Sequence, residues 1–488
     1  MSEQFISYED AKSDLLTCAA YLAERLKSAD GHAAAMTSVV PLYLKRGSVD
    51  LAAELANAID DPFTRERLLV QVAEKCAELD DDEYALQLAD AVEDHGLRAE
   101  AFERVGLQKA VKRQFEKARE IAGEMPHPDQ VLASVAVAEF VSGDPGAADS
   151  TLNEIEFPVA KVHALMEMAA ASKESSGEVL ERALEESDEI AHDEERIRAI
   201  IDIGNAFTEA GRNDKAVETL EKARQATEQL DNVHRDSFFA LASLGFLHAG
   251  SIELADRALD QVKDKTQIAS CLLGHAREFW KRDEHNDAIE ALEESYAVLK
   301  SQRDIETRDS KARYRLFATI AAQFAGFEKG ERAIEIAQSI EDEPEQISGL
   351  TQVAEVLTVR KEDEQARQAL NAIAGDGHRA FALIRMSDAK ENTGDRDGAI
   401  LLLDEATALS ETVPQLPMRV ATYNAVASRY ISFGYGEKGS DAARQSIETI
   451  GTIRDESAKI EGIASLSQVF DDGGASLQDE IESLLRLQ

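Results

Sequence analysis

Residues 201–217 read IDIGNAFTEAGRNDKAV. Two tiny residues, Gly204 and Ala216, stand twelve positions apart, with Phe207 and Gly211 between them. Large apolar residues, Ile200 and Ile203, precede Gly204 by four and by one. Offsets of three and four place such residues on one face of a helix. The stretch therefore predicts a helix A ending near Gly211, a tight turn, and a helix B carrying Ala216. The small residue on each helix lets the other approach closely, and Gly tolerates the positive φ of a helix C-cap.

The spacing recurs along the chain. Ala52, Ala85 and Ala118 are spaced by 33, as are Ala333, Ala366 and Ala399, and Ala255 and Ala288; Ala148 follows Ala118 by 30. Twelve residues before these alanines, and before Ala216, stand Val40, Ala73, Gly106, Ala136, Gly204, Ser243, Ala276, Ala321, Ala354 and Ser387. Ala169 and Ala427 continue the series. Large apolar residues recur four places earlier (Leu69, Phe102, Leu132, Ile200, Phe239, Leu272, Phe317, Leu350, Leu383, Tyr423) and one place earlier (Val39, Val72, Val105, Val135, Ile203, Ile320, Val353, Met386). Gly47, Gly143, Gly250 and Gly394 repeat the turn glycine. Proline-bearing breaks at 60–62, 125–128, 157–158 and 341–344 end helix B, because Pro cannot continue a helix interior. A fixed period in this range marks stacked two-helix units. The steps from Ala216 to Ala255 and from Ala288 to Ala333 are longer, 39 and 45, and predict longer helices B or loops near 224–235, 296–310 and 408–418.

The stretch around Gly204 resembles a tetratricopeptide repeat. Ile200, Ile203-Gly204, Phe207, Gly211 and Ala216 match that family's large residue, Leu-Gly, aromatic, turn glycine and helix B alanine. The resemblance runs in consistent register over roughly residues 32 to 470. It departs in lacking the family's Trp and in unit length, which leaves room for HEAT-like hairpins; the TPLH signature of ankyrin repeats is absent. The expectation is an all-α protein, an α-solenoid of about thirteen antiparallel hairpins in a tetratricopeptide-like superhelix. Residues 1–31 would form an N-terminal cap, 32–457 the array, and 458–488 C-terminal capping helices. Leu484, Leu485 and Leu487 would close the array or meet a second copy.

Across 488 residues, 94 Asp and Glu face 53 Lys and Arg, a formal net charge of −41. Such a surface repels nucleic acid and anionic lipid. The carboxylates are spread along amphipathic segments, which fits either an ordinary acidic cytosolic protein or, as the sharper expectation, a halophilic archaeon or other salt-accumulating organism, where salt screens their repulsion. Cys18, Cys76 and Cys271 are far apart in apolar patterns, so neither a zinc site nor a disulfide framework is expected. The N-terminal residues carry no basic-then-apolar signal pattern and no apolar run is long enough to span a bilayer, so a cytoplasmic protein is expected.

No phosphate-binding glycine loop, HExxH or GxSxG is present, and neither catalysis nor a cofactor or metal is expected. His275 falls on a buried-type position. His285 with Asp287 and Glu290 has the residue types for a cation but reads as a solvated turn. The family resemblance implies that helices A line the binding face. At its lining positions stand Ile201 and Asn205, then Leu244 and Leu247, then Leu273, Arg277 and Trp280, the chain's only Trp. This apolar strip with polar anchors suits an extended peptide or an amphipathic helix of a partner protein, the alternative being that packing between units buries it. Lys109, Lys112 and Arg113, with Lys117 and Arg119, form a basic cluster that either neutralises neighbouring carboxylates or docks an acidic partner; Arg303, Arg308, Lys311, Arg313 and Arg315 form another. The family's carboxylate clamp is matched only at Asn205, since Ile201 and Leu241 occupy its other places. The expected function is a non-enzymatic interaction scaffold. A self-associating structural protein and a regulatory sensor of a peptide or small signal are the alternatives.

Overall fold

The computed structural model describes residues 5–172, 176–302, 310–470 and 478–486. These residues form α-helices and no strand. Helix α1 (Leu15–Ala23) comes first. Helices A and B then alternate: α2 (Ala29–Lys45) with α3 (Val49–Asn57), α4 (Pro62–Glu78) with α5 (Asp82–Ala91), α6 (His95–Val111) with α7 (Phe115–Gly123), and α8 (Asp129–Val141) with α9 (Pro145–Leu152). Next come α10 (Pro158–Ala171) with α11 (Ser176–Ser187), α12 (Asp193–Glu209) with α13 (Asn213–Glu228), α14 (Arg235–His248) with α15 (Ile252–Leu259), and α16 (Lys265–Lys281) with α17 (His285–Lys300). The series continues through α18 (Ser310–Gly326) with α19 (Gly330–Gln338), α20 (Glu343–Val359) with α21 (Asp363–Ala372), α22 (Asp376–Asn392) with α23 (Arg396–Ser410), and α24 (Leu416–Ser432) with α25 (Gly436–Thr452). Helices α26 (Glu456–Ser467) and α27 (Gln478–Leu485) end it. The chain is thus an all-α solenoid of stacked hairpins.

The small residues sit where the helices of a hairpin cross. Ala52, Ala85, Ala118, Ala216, Ala255, Ala288, Ala333, Ala366 and Ala399 are wholly buried. A Cβ on Gly204 would stand 2.8 Å from Leu220 Cγ, on the opposing helix, and 3.6 Å from the Ala216 carbonyl. Where the small residue is Ser, its hydroxyl closes the pair: Ser243 Oγ donates to Ala255 O at 2.7 Å and Ser387 Oγ to Ala399 O at 2.9 Å. Ala427 has its partner too, in Gly439, whose added Cβ would meet the Ala427 carbonyl at 3.1 Å. The preceding large residues are buried, with Phe102 half-buried. Each buried Leu, Ile or Phe contributes roughly 1.5–3 kcal/mol.

The turns follow one design. In the described turns the second residue after helix A adopts positive φ, as at Gly211 (73°), and the next amide bonds back to helix A, with Arg212 N donating to Phe207 O at 2.8 Å. This is the Schellman pattern. Asp80, Arg113, Asp283, Glu328 and Lys361 take the same left-handed conformation without being glycine. Pro62 and Pro158 both end one unit and open the next helix, where a missing N–H costs nothing. The long spacings are absorbed by long helices B: α13, α17 and α23 run to 16, 16 and 15 residues, against 8 to 10 for α3, α5, α7, α9, α15 and α21.

Two compact units emerge from the packing. Unit 1 comprises residues 1–101, 337–339 and 346–488, and unit 2 comprises 102–336 and 340–345. In unit 2 one apolar cluster runs from Ala110 to Ala249, through successive hairpins that share it. In unit 1 the segments expected as separate caps pack on one another. Helix α26 carries the helix A signature in Ile460, Ile463 and Ala464, all buried, and lies against α1, α2, α24 and α25. Of these, α1 comes from the other end of the chain. Helix α27 lies on α1 and α25. Leu484 and Leu485 are buried there, while Leu487 lies outside the described residues.

Candidate partner-binding surface

The sequence-selected strip lies in unit 2, on helices A of three consecutive hairpins. Ile201, Leu247 and Leu273 are buried. Ile201 and Leu247 belong to the core shared by α12–α16, so packing between hairpins consumes them and they offer a partner nothing. This corrects the expectation for these three residues. Asn205, Leu244 and Trp280 stay half-buried, and Arg277 is exposed.

Asn205, Leu244 and Arg277 form a row. Each follows the small residue of its helix by one and leans on the next helix A. The Asn205 carboxamide lies over Gly245, where an added Cβ would stand 2.8 Å from Oδ1. Leu244 lies over Gly274 in the same way, at 3.0 Å. Arg277 Nε donates to Gln323 Oε1 at 2.8 Å. Asn205 Oδ1 is buried against α14 and accepts no hydrogen bond, a costly state. Trp280, expected to line the strip, presents little of its ring. Both its faces are covered, by Phe327 at 4.2 Å and His285 at 4.1 Å between ring centroids, leaving only an edge. His285 spends its ring on this stack and lies 3.7 Å from Asp283.

The basic cluster at the α6–α7 turn does not form one patch. Lys109 is completely buried, so it cannot dock a partner, which corrects that expectation. Lys112 is half-buried, and Arg113 is the exposed left-handed residue of the turn. Arg119 turns inward. Its Nη2 pairs with the buried Glu139 and donates to Thr151 Oγ1 at 2.7 Å, and Thr151 Oγ1 donates to Glu139 Oε2 at 2.7 Å. Of the second cluster, Arg303 and Arg308 lie outside the described residues, and Arg315 pairs with Glu345 at 3.1 Å.

One buried constellation holds nucleophile and base types: Ser243, Cys271 and His275. Ser243 gives its proton to Ala255 O, so at 3.0 Å His275 Nε2 is the donor to Ser243 Oγ. Cys271 Sγ donates to Ala240 O at 3.4 Å. Burial pushes the Cys271 thiol up to about 11 and His275 down to about 4, with His248 adding to the latter. Burial likewise lifts Cys18 to about 12 and Cys76 to about 11. Neutral and sealed from solvent, the three groups act as a structural bridge between α14, α15 and α16. Among the described residues no three His, Cys, Asp or Glu gather as a metal site, and no helix is long and apolar enough to cross a membrane.

A recurrent polar device escaped the sequence reading. A carboxylate in the first turns of one helix A receives backbone N–H groups from the link before the next helix A. Glu66 accepts from Asp94 N at 2.9 Å. Asp129 accepts from Glu156 N and Phe157 N at 3.1 and 2.8 Å, and Asp236 from Lys263 N and Asp264 N at 2.9 and 2.7 Å. In so acidic a chain, such residues carry no distinguishing signal until the packing is known.

No protein-family model matches the chain, and no curated protein matches it. Solved structures do align with it. The crystal structure of Ton1535 from Thermococcus onnurineus NA1 is 16% identical over 72% of this chain and 98% of its own, with a TM-score of 0.26. The APC/C hetero-tetramer Cut9-Hcn1 is 15% identical over 93% of each chain, at 0.23. A circular tandem repeat protein with novel repeat topology is 15% identical over 98% of this chain and 99% of its own, at 0.17. Likenesses this loose say nothing about partner or activity.

Proposed function

We propose that the protein is a non-enzymatic scaffold of the cytoplasm of a salt-adapted organism, which holds an extended segment of a partner protein along helices A of α12, α14 and α16. The observation that carries this reading is the row Asn205, Leu244, Arg277. It sets an amide side chain, an apolar side chain and an exposed cation along adjacent helices, the mixture that suits an extended chain. The edge of Trp280 extends the row. Such surfaces bind through a few central side chains, so single changes should be felt.

A photo-crosslinking residue placed at position 205 or 277 tests this in the native host's lysate at high salt. The reading expects the same protein to be captured from both positions, and its capture to be lost with Leu244→Arg. Capture from position 359, an exposed site on α20, serves as control. Equal capture from all three positions, or capture that survives Leu244→Arg, would overturn the reading.

A further inference from the structure

Where the two ends of the chain meet in unit 1, helices α1, α26 and α27 leave a cavity of about 360 Å³. That volume lies within the range of small-molecule sites. Its apolar wall is Leu22, Ile460 and Leu484, one from each helix, with Leu26 beside them. Three cations stand at the same cavity: Arg25, Lys27 and Lys459. None has an ion pair among the described residues, although the chain carries 94 carboxylates to 53 cations. Arg25 is held over the Tyr21 ring, 4.2 Å from its centroid, rather than by a carboxylate. Glu456 is the one acidic residue of the lining and leaves the site net positive.

Three cations without a carboxylate partner, gathered at one cavity of so acidic a molecule, mark a place where negative charge is wanted from outside. The apolar wall adds that the ligand has a body as well as a charge. We propose that this cavity binds a small amphipathic anion, a carboxylate or phosphate head on a short apolar body. The body lies on Leu22, Ile460 and Leu484, and the head meets Arg25, Lys27 and Lys459. Because the walls come from both ends of the sequence, occupancy ties α26 and α27 to α1. The site's residues all lie in unit 1 and none belongs to the row on α12–α16, so either proposal can fail alone.

Calorimetric titration of the full chain tests it, with octanoate, octyl phosphate, 1-octanol, acetate and inorganic phosphate as probes. At least one of the octyl anions should bind at one site per chain. The neutral alcohol and the bare heads should bind at least tenfold more weakly. A preference between the two anions identifies the head. Lys459→Glu should weaken the anion at least tenfold, while Lys222→Glu, an exposed lysine in unit 2, should leave it unchanged. Should Lys459→Glu fail to fold, the pair Arg25→Gln and Lys27→Gln gives the same readout from exposed positions. Amide exchange in α1, α26 and α27 should slow on binding. Equal binding of 1-octanol, binding indifferent to these substitutions, or a site filled only by an acidic peptide would overturn the proposal.

Discussion

Gly204 shows how much a single missing Cβ decides. Leu220 is wedged between it and Gly245, with an added Cβ at 2.8 and 2.9 Å respectively. Ala at position 204 gains about 1 kcal/mol of helix propensity but overpacks by roughly 1–3 kcal/mol. Gly204→Ala should therefore lower stability by about 1 kcal/mol, whereas Gly123→Ala, with open space around it, should raise it by ~0.5–1 kcal/mol. Denaturant titration of both variants checks the opposite signs. Lys361, left-handed at 65°, offers a third test: Lys361→Gly should stabilise by about 1 kcal/mol, read as a higher melting temperature. His275 sets a pH window. Its folded value, about 4, lies below the ordinary 6.5, so the unfolded chain binds the extra proton between these values. Stability is therefore full above pH 6.5 and falls by about 3 kcal/mol as pH drops to 4. His275→Gln should remove that part of the slope; an unchanged slope would refute the assignment. The burial of His275 and the small pairs were legible because period and offset specify them. The left-handed Asp80, Arg113, Asp283, Glu328 and Lys361 were not, because the turn is imposed by the helices on either side.

At the scale of the element, hairpins are joined by polar groups as well as by apolar cores. Asp129 fixes the link into α10 through two backbone amides. Asp129→Ala should cost roughly 1–3 kcal/mol, since both donors lose their partner. Amide exchange should quicken at Glu156 and Phe157 first; an increase spread evenly over unit 2 would contradict a local role. The lengths of helices B were legible from the stretched spacings. The proposed partner row was legible only in part. Periodicity selects the face of a helix but cannot say how deeply the next hairpin covers it, which is why Ile201, Leu247 and Leu273 proved to be core.

Across the whole molecule, the scarce cations bridge neighbouring hairpins. Arg332 pairs with Glu293 at 2.9 Å, Arg212 with Glu181 at 3.0 Å and Arg429 with Asp388 at 3.2 Å. Surface pairs of this kind contribute little each, and a large carboxylate surplus remains. Raising KCl from 0.1 to about 2 M should therefore raise the melting temperature, because screening relieves repulsion more than it weakens the bridges. A falling melting temperature would contradict this. The pairing of α26 with α1 was invisible in the sequence, since a periodic pattern does not record which repeat its last member meets. The recurrent nesting of small residues remains the foundation, and Ala216→Leu tests it most directly. Measured by denaturant titration beside Glu218→Leu, an exposed change two residues away, Ala216→Leu should lose at least about 2 kcal/mol while the control stays within about 0.5 kcal/mol; equal, small effects at both positions would contradict the nested hairpin.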